Sequence, residues 1–478
     1  MNRLLLLSLL ALFLGSLQGE EPVLDRLARG PYLQTGTPTS TIVHWRTHVT
    51  GSSMVRYGDS PAELTESLSN LGNSKEHVVT ITGLKPATRY YYQVETVTED
   101  GAVITSKVGE DCFFETSPPV GSKGKTSIWV LGDSGTGNAA ARKVYQGFNA
   151  TFSEGEEPHA DVWLMLGDNA YSRGEDVQFQ KAVFETYPRI LRNSVLWPAL
   201  GNHDAQTVIN GVIGKPYLDI FDLPTKGEAG GLPSGTEYYY SFDYANIHFV
   251  CLDSETRVNF TDVPGGGGMY DWLEADLQAN QQDWLIVFFH HPPYTKGSHD
   301  SDKELKHIQM RHHFLPLLES YGVDLCLGGH SHCYERSYLI KGHYGAESGS
   351  VTFNPKPASE GGNIVDRGNG STRGIVDEKG QFQLDSAPDG AYEKVLGSSH
   401  SGAVYSVAGA SGKLSKWHNG SKALVHPAPH PAHLVNLRLM GSMIIEVEGY
   451  TMNVRYLDGK GETRDDFTIQ KVAPVEKP

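Results

Sequence analysis

Five apolar runs of strand length each end in polar residues, and this pattern restricts the fold more than any other feature of the sequence. The runs are SIWVLGDSG, DVWLMLGDNAY, VLWPALGNHD, WLIVFFHHPPY and VDLCLGGHSH, which begin at residues 127, 161, 195, 284 and 323. Runs this apolar are typical of strands that are covered on both faces. Because ligand-binding residues collect at the carboxyl ends of strands in α/β sheets, we expect the five polar ends to converge on one site.

The polar ends supply side chains that bind borderline-to-hard metal ions. Aspartate, asparagine, histidine and tyrosine are present, whereas a series of thiolate ligands is not. The number of candidate ligands exceeds what one ion needs and suits two ions that share a carboxylate. Two such ions lie about 3.5–4 Å apart and can clamp a phosphoryl group during in-line displacement. The candidate ligands are Asp133, Asp168, Tyr171, Asn202, His290, His330 and His332.

The five motifs also carry a family resemblance. GDxG, GDxxY, GNH(D/E), VxxH and GHxH follow one another in this order, and the set resembles the purple acid phosphatase branch of the calcineurin-like metallophosphoesterases. In this sequence they occupy residues 132–135, 167–171, 201–204, 287–290 and 329–332. The ordered set is specific, whereas any single motif is a weak signal. No motif departs from the family pattern.

The resemblance implies a role for each candidate ligand. An iron(III) would be bound by Asp133, Tyr171 and His332. A divalent ion, which could be iron, zinc or manganese, would be bound by Asn202, His290 and His330. Asp168 would bridge the two ions, and the Tyr171 phenolate would favour iron(III) and give the protein a purple colour.

Further residues in or near these motifs are expected to contact the substrate rather than the metals. The resemblance assigns His203 and His299 to the substrate side. His203 would stabilise or protonate the leaving group, with Asp204 as a possible partner that orients its ring. The adjacent His291 could be mistaken for a ligand, but the VxxH spacing favours His290.

Composition changes along the chain predict its domains. Residues 1–19 begin with one arginine and an apolar run too short to span a membrane, as in a secretory signal peptide. Residues 29–118 have short strands and turns and resemble a fibronectin type III-like, all-β sandwich. Residues 125–340 alternate strands and helices, which predicts an α/β catalytic domain. Residues 341–472 are expected to complete the sheets of that domain.

The predicted fold is thus α/β: a metallophosphoesterase βαββα sandwich of two mixed sheets flanked by helices, preceded by the all-β domain. Trp45 is the predicted core residue of the all-β domain. The segment HPAPHPAH, residues 426–433, invites a metal-binding interpretation, but its prolines favour a loop at the rim of the site.

Charge and cysteine content restrict the partners. The chain has 478 residues and a formal net charge of −16, which argues against a nucleic-acid interface. The four cysteines form no CxxC motif and are expected to be buried free thiols or to form one bridge. No second apolar run is long enough for a membrane helix, so we expect the mature chain to be secreted or periplasmic.

Together these features predict an exported acid phosphatase. The resemblance implies hydrolysis of small phosphate monoesters by in-line attack of a metal-bound hydroxide. The same site could instead cleave phosphodiesters or nucleotide derivatives. A non-catalytic binding protein is a third alternative, which the loss of a ligand would have favoured. The sequence does not predict an oligomeric state.

Overall fold

A computed structural model describes residues 27–106, 109–256, 267–345, 352–377, 382–384, 389–414 and 429–474. The predicted signal peptide, residues 1–19, lies outside the described residues. Among the described residues, no helix has the length and apolar character needed to cross a membrane.

The N-terminal part of the chain is β-rich. One edge of its strand Ser40–Gly58 changes partners along its length, because Ile42–Thr47 pairs with the first strand and Met54–Gly58 pairs with the strand Arg89–Val97. As predicted, Trp45 lies in the core of this part, where it is 1% exposed and its ring stacks on His77. The strands are Leu27–Gln34, Ser40–Gly58, Glu66–Thr82, Arg89–Val97, Val103–Thr105 and Phe113–Glu115.

Two seven-stranded sheets form the rest of the β structure that positions the site. The first contains, in spatial order, Tyr392–Val395, Thr463–Val472, Thr451–Asp458, Gly441–Glu448, Thr126–Leu131, Val162–Met165 and Leu196–Pro198. The second contains Tyr240–Tyr244, Ile247–Cys251, Trp284–Phe289, Leu325–Gly328, Val404–Ala408, Tyr334–Ser337 and His433–Leu437. Both sheets mix parallel and antiparallel pairs, so the predicted α/β fold with two mixed sheets is confirmed.

Within each sheet, the neighbouring strands that end in a motif run parallel to one another. In the first sheet, Val162–Met165 lies between the other two motif strands and is parallel to both. In the second sheet, Trp284–Phe289 is parallel to Leu325–Gly328. Their carboxyl ends therefore meet at one edge within each sheet. The C-terminal strand Gly441–Glu448 is antiparallel to Thr126–Leu131 and extends the first sheet.

Helices and short strand pairs cover and connect the sheets. The α-helices are Ala139–Asn149, Asp176–Phe179, Lys215–Ile220, Met269–Ala279, Leu305–Gln309 and Leu315–Ser320. Among the described residues, two π-helical segments, Gln180–Phe184 and Met310–Phe314, continue α-helices, and the 3-10 helices are Ile190–Arg192, Asp204–Gln206 and Ala358–Glu360. The small antiparallel strand pairs of the described chain are Val208–Ile209 with Val212–Ile213, Leu339–Ile340 with Ile364–Asp366, and Gly374–Val376 with Phe382–Leu384.

The largest hydrophobic core joins the two seven-stranded sheets. It contains residues of both, among them Ile128 and Ile445 of the first sheet and Phe249 and Phe288 of the second. A second core lies between the second sheet and the helices that cover it. The cysteines follow the prediction of buried thiols, and all are free: Cys112, Cys251, Cys326 and Cys333. Because the sheets are packed on both faces, the polar residues of the motifs can be placed only at the strand ends.

Candidate metal centre

Three of the predicted ligands form a first group. The Tyr171 hydroxyl lies 3.0 Å from Asp133 Oδ1 and 3.4 Å from His332 Nε2. The remaining pair, His332 Nε2 and Asp133 Oδ1, is 3.5 Å apart. These atoms come from three different strand ends, and the separations are short enough for one ion to contact all three.

Three further predicted ligands form a second group. His290 Nε2 lies 3.0 Å from Asn202 Oδ1 and 3.1 Å from His330 Nδ1. The other nitrogen of His290, Nδ1, is 2.9 Å from the carbonyl oxygen of Leu166. A carbonyl only accepts hydrogen bonds, so Nδ1 carries a proton, and Nε2 is the nitrogen that faces the group. This second contact fixes the ring orientation, as is common for metal-binding histidines.

Asp168 connects the two groups. Its Oδ1 lies 3.4 Å from His290 Nε2, and ligand atoms of Asp133, Asp168 and His290 lie within 4.8 Å of one another. The same oxygen accepts a hydrogen bond of 2.9 Å from the backbone N–H of His203. A carboxylate in this position is able to contact two ions at once.

The donor set fits a pair of cations. Asp133 Oδ2 is buried and has no hydrogen-bond partner among the residues that the structure describes. A buried acceptor without a donor or a cation beside it is costly. Burial, with further contributions from Asp133 and Asp168, raises the pKa of the Tyr171 hydroxyl well above its ordinary value. A phenolate at this position therefore requires a cation beside it.

The backbone at the strand ends explains the glycines of the motifs. Three predicted ligands have left-handed backbone angles, with φ of 54° at Asp133, 52° at Asp168 and 60° at His330. Such angles are uncommon for residues other than glycine and often occur at functional sites. The loops also approach closely, since a Cβ on Gly201 would lie 2.0 Å from the backbone nitrogen of Asp168. The glycine of GNHD is thus required for space.

His203 lies beside the pocket formed by these ligands, and its ring is oriented by the backbone. Its Nδ1 is 2.5 Å from the carbonyl oxygen of Ser172, so Nδ1 donates a proton there. Its Nε2 lies 3.9 Å from Asp168 Oδ2, and the ring packs edge-on against Tyr171 at 4.7 Å between centroids. The side chain is 27% exposed, which leaves Nε2 accessible from the pocket.

The expectation that Asp204 orients the ring of His203 is wrong. The Asp204 carboxylate is fully buried and accepts hydrogen bonds from the backbone N–H groups of Asn169, Ala170 and Gly201 and from the Asn169 side-chain amide. Burial, together with the charge of Asp168, raises the pKa of Asp204 to about 7. Asp204 therefore ties the GDNAY loop to the GNHD loop, because a buried carboxylate is stabilised by several N–H donors that one imidazole cannot replace.

His299 lies at the edge of the same site. Its ring is 3.8 Å from that of His330, and its Nδ1 is 2.8 Å from Glu304 Oε2. His291 is buried beside His290 but contacts Ser254, whose Oγ lies 2.9 Å from His291 Nδ1. The VxxH spacing thus selected the histidine whose Nε2 faces the other ligands.

Two further groups near the site were not predicted from the sequence. Lys413 is exposed, and its Nζ lies 4.7 Å from the centre of the Tyr171 ring, where a cation can contact a bound anion. Glu304 and His307 lie next to His299 and His330. A lysine in a glycine-rich segment and a histidine in a helical pattern carry no motif that would have indicated these positions. Of the histidines in the HPAPHPAH segment, His430 and His433 are described and buried, and His430 lies near Asp302 rather than among the predicted ligands.

Comparisons with known proteins identify families that the two parts of the chain match. Residues 126–334 match the family described as calcineurin-like phosphoesterase, and residues 30–110 match the purple acid phosphatase N-terminal domain. The chain is 28% identical over 329 residues to purple acid phosphatase 23 of Arabidopsis thaliana, covering 63% of this chain and 65% of the relative. It is also 28% identical over 378 residues to an uncharacterized protein of Mycobacterium tuberculosis, covering 73% of this chain and 68% of that protein. The match thus spans slightly less than two thirds of the Arabidopsis relative.

A solved structure shares the fold. The purple acid phosphatase PPD1 from yellow lupin (Lupinus luteus) seeds superimposes with a TM-score of 0.65 and 17% identity, covering 92% of this chain and 74% of that one. At this identity the likeness concerns the fold alone. The two family matches together span more than half of the chain, in the same order as its β-rich part and its two-sheet part. On the strength of both matches, the shared fold and the five ordered motifs, the chain belongs to the purple acid phosphatase family of the calcineurin-like phosphoesterases.

Proposed function

We propose that the protein is an exported acid phosphatase that hydrolyses phosphate monoesters at a dinuclear metal centre. The observation that carries this proposal is the arrangement of two ligand groups around Asp168. One group holds a tyrosine and the other does not, so the two ions would differ. The calcineurin-like family uses a dinuclear metal centre, and the metal-ligand geometry of this chain is compatible with one.

The first group suits iron(III) and the second a divalent ion, for which iron, zinc and manganese are candidates. The Tyr171 phenol, next to Asp133, supplies a hard anionic oxygen, whereas Asn202, His290 and His330 are neutral ligands. When bound, the two ions would polarise the phosphoryl group and acidify a water, which makes hydrolysis possible below neutral pH. Five formal positive charges exceed the three negative charges of Asp133, Asp168 and the phenolate, so an acidic chain retains a pocket that attracts a phosphate dianion.

His203 is the proposed general acid. Its Nδ1–H is held by the Ser172 carbonyl, which leaves Nε2 to exchange a proton with the leaving oxygen of the ester. The same Nε2 can hydrogen-bond the phosphoryl group before the ester bond breaks. The His299 ring, which packs against His330 at a tilt, would contact the substrate from the other side of the pocket.

Replacement of His203 by alanine tests this assignment. General acids typically contribute about 10²–10⁴ in rate, so we expect His203→Ala to lose roughly that factor on alkyl phosphates. The loss should shrink for phenolic esters, because good leaving groups need little protonation. Both metals and the visible colour should remain. His159→Ala serves as the control, because His159 is a half-buried histidine that lies between the β-rich part and the first sheet.

Two results would contradict the proposal. If His203→Ala loses a metal ion, or slows good and poor leaving groups equally, His203 is not the general acid. If the wild-type chain cleaves bis(nitrophenyl) phosphate faster than nitrophenyl phosphate, it is a phosphodiesterase that uses the same site. Metal analysis with a visible spectrum on the purified protein tests the two-ion assignment independently of turnover.

Export is part of the proposal and is supported by the N-terminal sequence. The apolar run within residues 1–19 has the length and flanking residues of a secretory signal peptide. Mass spectrometry of the protein recovered outside the cell should show an N-terminus near residue 20. Recovery of the full-length chain in the cytoplasm would contradict export.

A further inference from the structure

A second group of potential metal ligands lies next to the proposed dinuclear centre. Ligand atoms of four side chains fall within 4.8 Å of one another. One of the four, His330, is already assigned to the dinuclear centre. The other three have no metal role in the proposed function: His299, Glu304 and His307.

His307 presents an unpartnered lone pair to this group. The residue is fully buried, and its Nδ1 lies 2.5 Å from the carbonyl oxygen of Pro292. Because a carbonyl accepts but does not donate, the proton is on Nδ1, and Nε2 is a bare acceptor. Burial lowers the pKa of His307 to about 4, in agreement with a neutral ring. Within the described part of the chain, its Nε2 has no hydrogen-bond partner, and it faces Glu304 Oε2 at 3.9 Å.

Glu304 is held in place by two other contacts. Its Oε1 accepts a hydrogen bond of 2.8 Å from the backbone N–H of Asp300, and its Oε2 lies 2.8 Å from His299 Nδ1. Oε2 is therefore the atom that faces both histidines. The Glu304 side chain is 41% exposed, so an ion can reach the group from solvent.

The lone pair of His307 Nε2 and the carboxylate oxygen Glu304 Oε2 are both hydrogen-bond acceptors, so neither can donate to the other. A buried nitrogen without a donor or a cation beside it is unfavourable. A cation between His307 Nε2 and Glu304 Oε2 would give the nitrogen a partner and would also bind the carboxylate oxygen. On the His299 side, the cation would replace the proton that this ring shares with Glu304.

We propose that His299, Glu304 and His307 bind a zinc ion, as a third metal site flanked by the ring of His330. Two imidazoles and one carboxylate form a typical open zinc site, in which water takes the fourth position. Tetrahedral ligands of zinc lie about 3.4 Å apart, so the present separations, all within 4.8 Å, require only small side-chain movements. The contact from His307 Nδ1 to Pro292 supplies the outer hydrogen bond that such sites usually have.

Zinc at this position would also affect the neighbouring pocket. It would occupy a ring nitrogen of His299 and add positive charge beside His330. The proposed site needs no phosphatase activity, and its test does not use turnover.

Counting the metal ions bound to the intact mature protein tests the proposal. The protein, loaded with the metals of its dinuclear centre, is equilibrated with zinc and desalted. Its metal content is then measured by elemental mass spectrometry and by native mass spectrometry of the intact chain. We expect about three ions per wild-type chain and about two in Glu304→Gln and His307→Ala. His312→Ala, a half-buried histidine of the same helical segment, should retain the wild-type number.

A reverse experiment separates this site from the dinuclear centre. Asp168→Ala should lose the pair of ions but keep one zinc, which Glu304→Gln in the same background should remove. Because Glu304 is partly exposed, Glu304→Gln can decide the question even if His307→Ala fails to fold, as judged by circular dichroism. The proposal is overturned if wild type and Glu304→Gln bind the same number of ions. Failure of the dinuclear centre alone would instead give one zinc per wild-type chain.

Discussion

His248 provides a prediction about stability that does not involve the metal centre. It lies on the strand Ile247–Cys251 with 2% of its side chain exposed, between two carboxylates. Its Nδ1 is 2.7 Å from Asp243 Oδ1, and its Nε2 is 2.9 Å from Asp276 Oδ2. With a carboxylate at each nitrogen, the doubly protonated imidazolium is the form that both partners stabilise.

The pKa of His248 sets the size and sign of the effect. Burial lowers this pKa, but the hydrogen bonds and charges of Asp243 and Asp276 outweigh burial and raise it from 6.5 to about 9. A histidine whose pKa is higher in the folded than in the unfolded chain stabilises the fold, and this contribution is fully present when the pH is below the unfolded pKa, near 6.5. This stabilisation disappears as pH rises through about 9. The shift corresponds to about 3 kcal/mol of unfolding free energy.

Urea unfolding of wild type and His248→Gln at several pH values measures this contribution. Glutamine removes the titrating ring, so the variant should be less stable by about 3 kcal/mol or more at pH 6, and the difference should shrink by about 3 kcal/mol by pH 10. Other groups titrate equally in both proteins and cancel. His312→Gln is the control. A wild-type-to-variant difference that stays constant from pH 6 to 10 would refute the imidazolium assignment.

Three further predictions concern the site. Asp168→Ala should lose both metal ions together, because the carboxylate lies between the two ligand groups; metal analysis that finds two ions and normal turnover would exclude bridging. Tyr171→Phe should lose the visible absorption band through loss of the phenolate, while a colour like that of wild type would place another ligand on iron(III). Asp204→Ala should lower metal affinity at both positions, because it releases three backbone N–H groups that hold the motif loops; Asp253→Ala, which removes a buried carboxylate that accepts hydrogen bonds from Glu255 and Thr256 of its own turn, should leave metal affinity unchanged.

The fold and the grouping of the candidate ligands could be predicted because both depend on local patterns. Apolar runs identify buried strands, and parallel strands bring their carboxyl ends together whatever the details of the intervening helices. Residues such as Asp133, Asp168 and His330 then lie close together because each directly follows such a strand. The left-handed backbone at these three residues agrees with the glycines that precede them.

The partner of Asp204 could not be predicted in this way. Its position beside His203 suggested a local pair, but its donors include Asn169 and Ala170, more than 30 residues earlier in the chain. A buried carboxylate takes the partners that best replace its lost hydration, and here these are backbone N–H groups of a neighbouring loop. Adjacency in sequence does not indicate which loop will be within reach.

The sequence by itself determined which residues stand at the ends of buried strands, and hence the kind of chemistry this protein supports. Only the tertiary structure decided how the polar groups pair. It gave His203 a backbone carbonyl as its partner, and it brought the helix residue His307 next to Glu304 and His330. The physical reason is that burial and strand formation follow from short patterns, whereas hydrogen bonds and metal ligation depend on distances of a few ångströms between segments far apart in the chain.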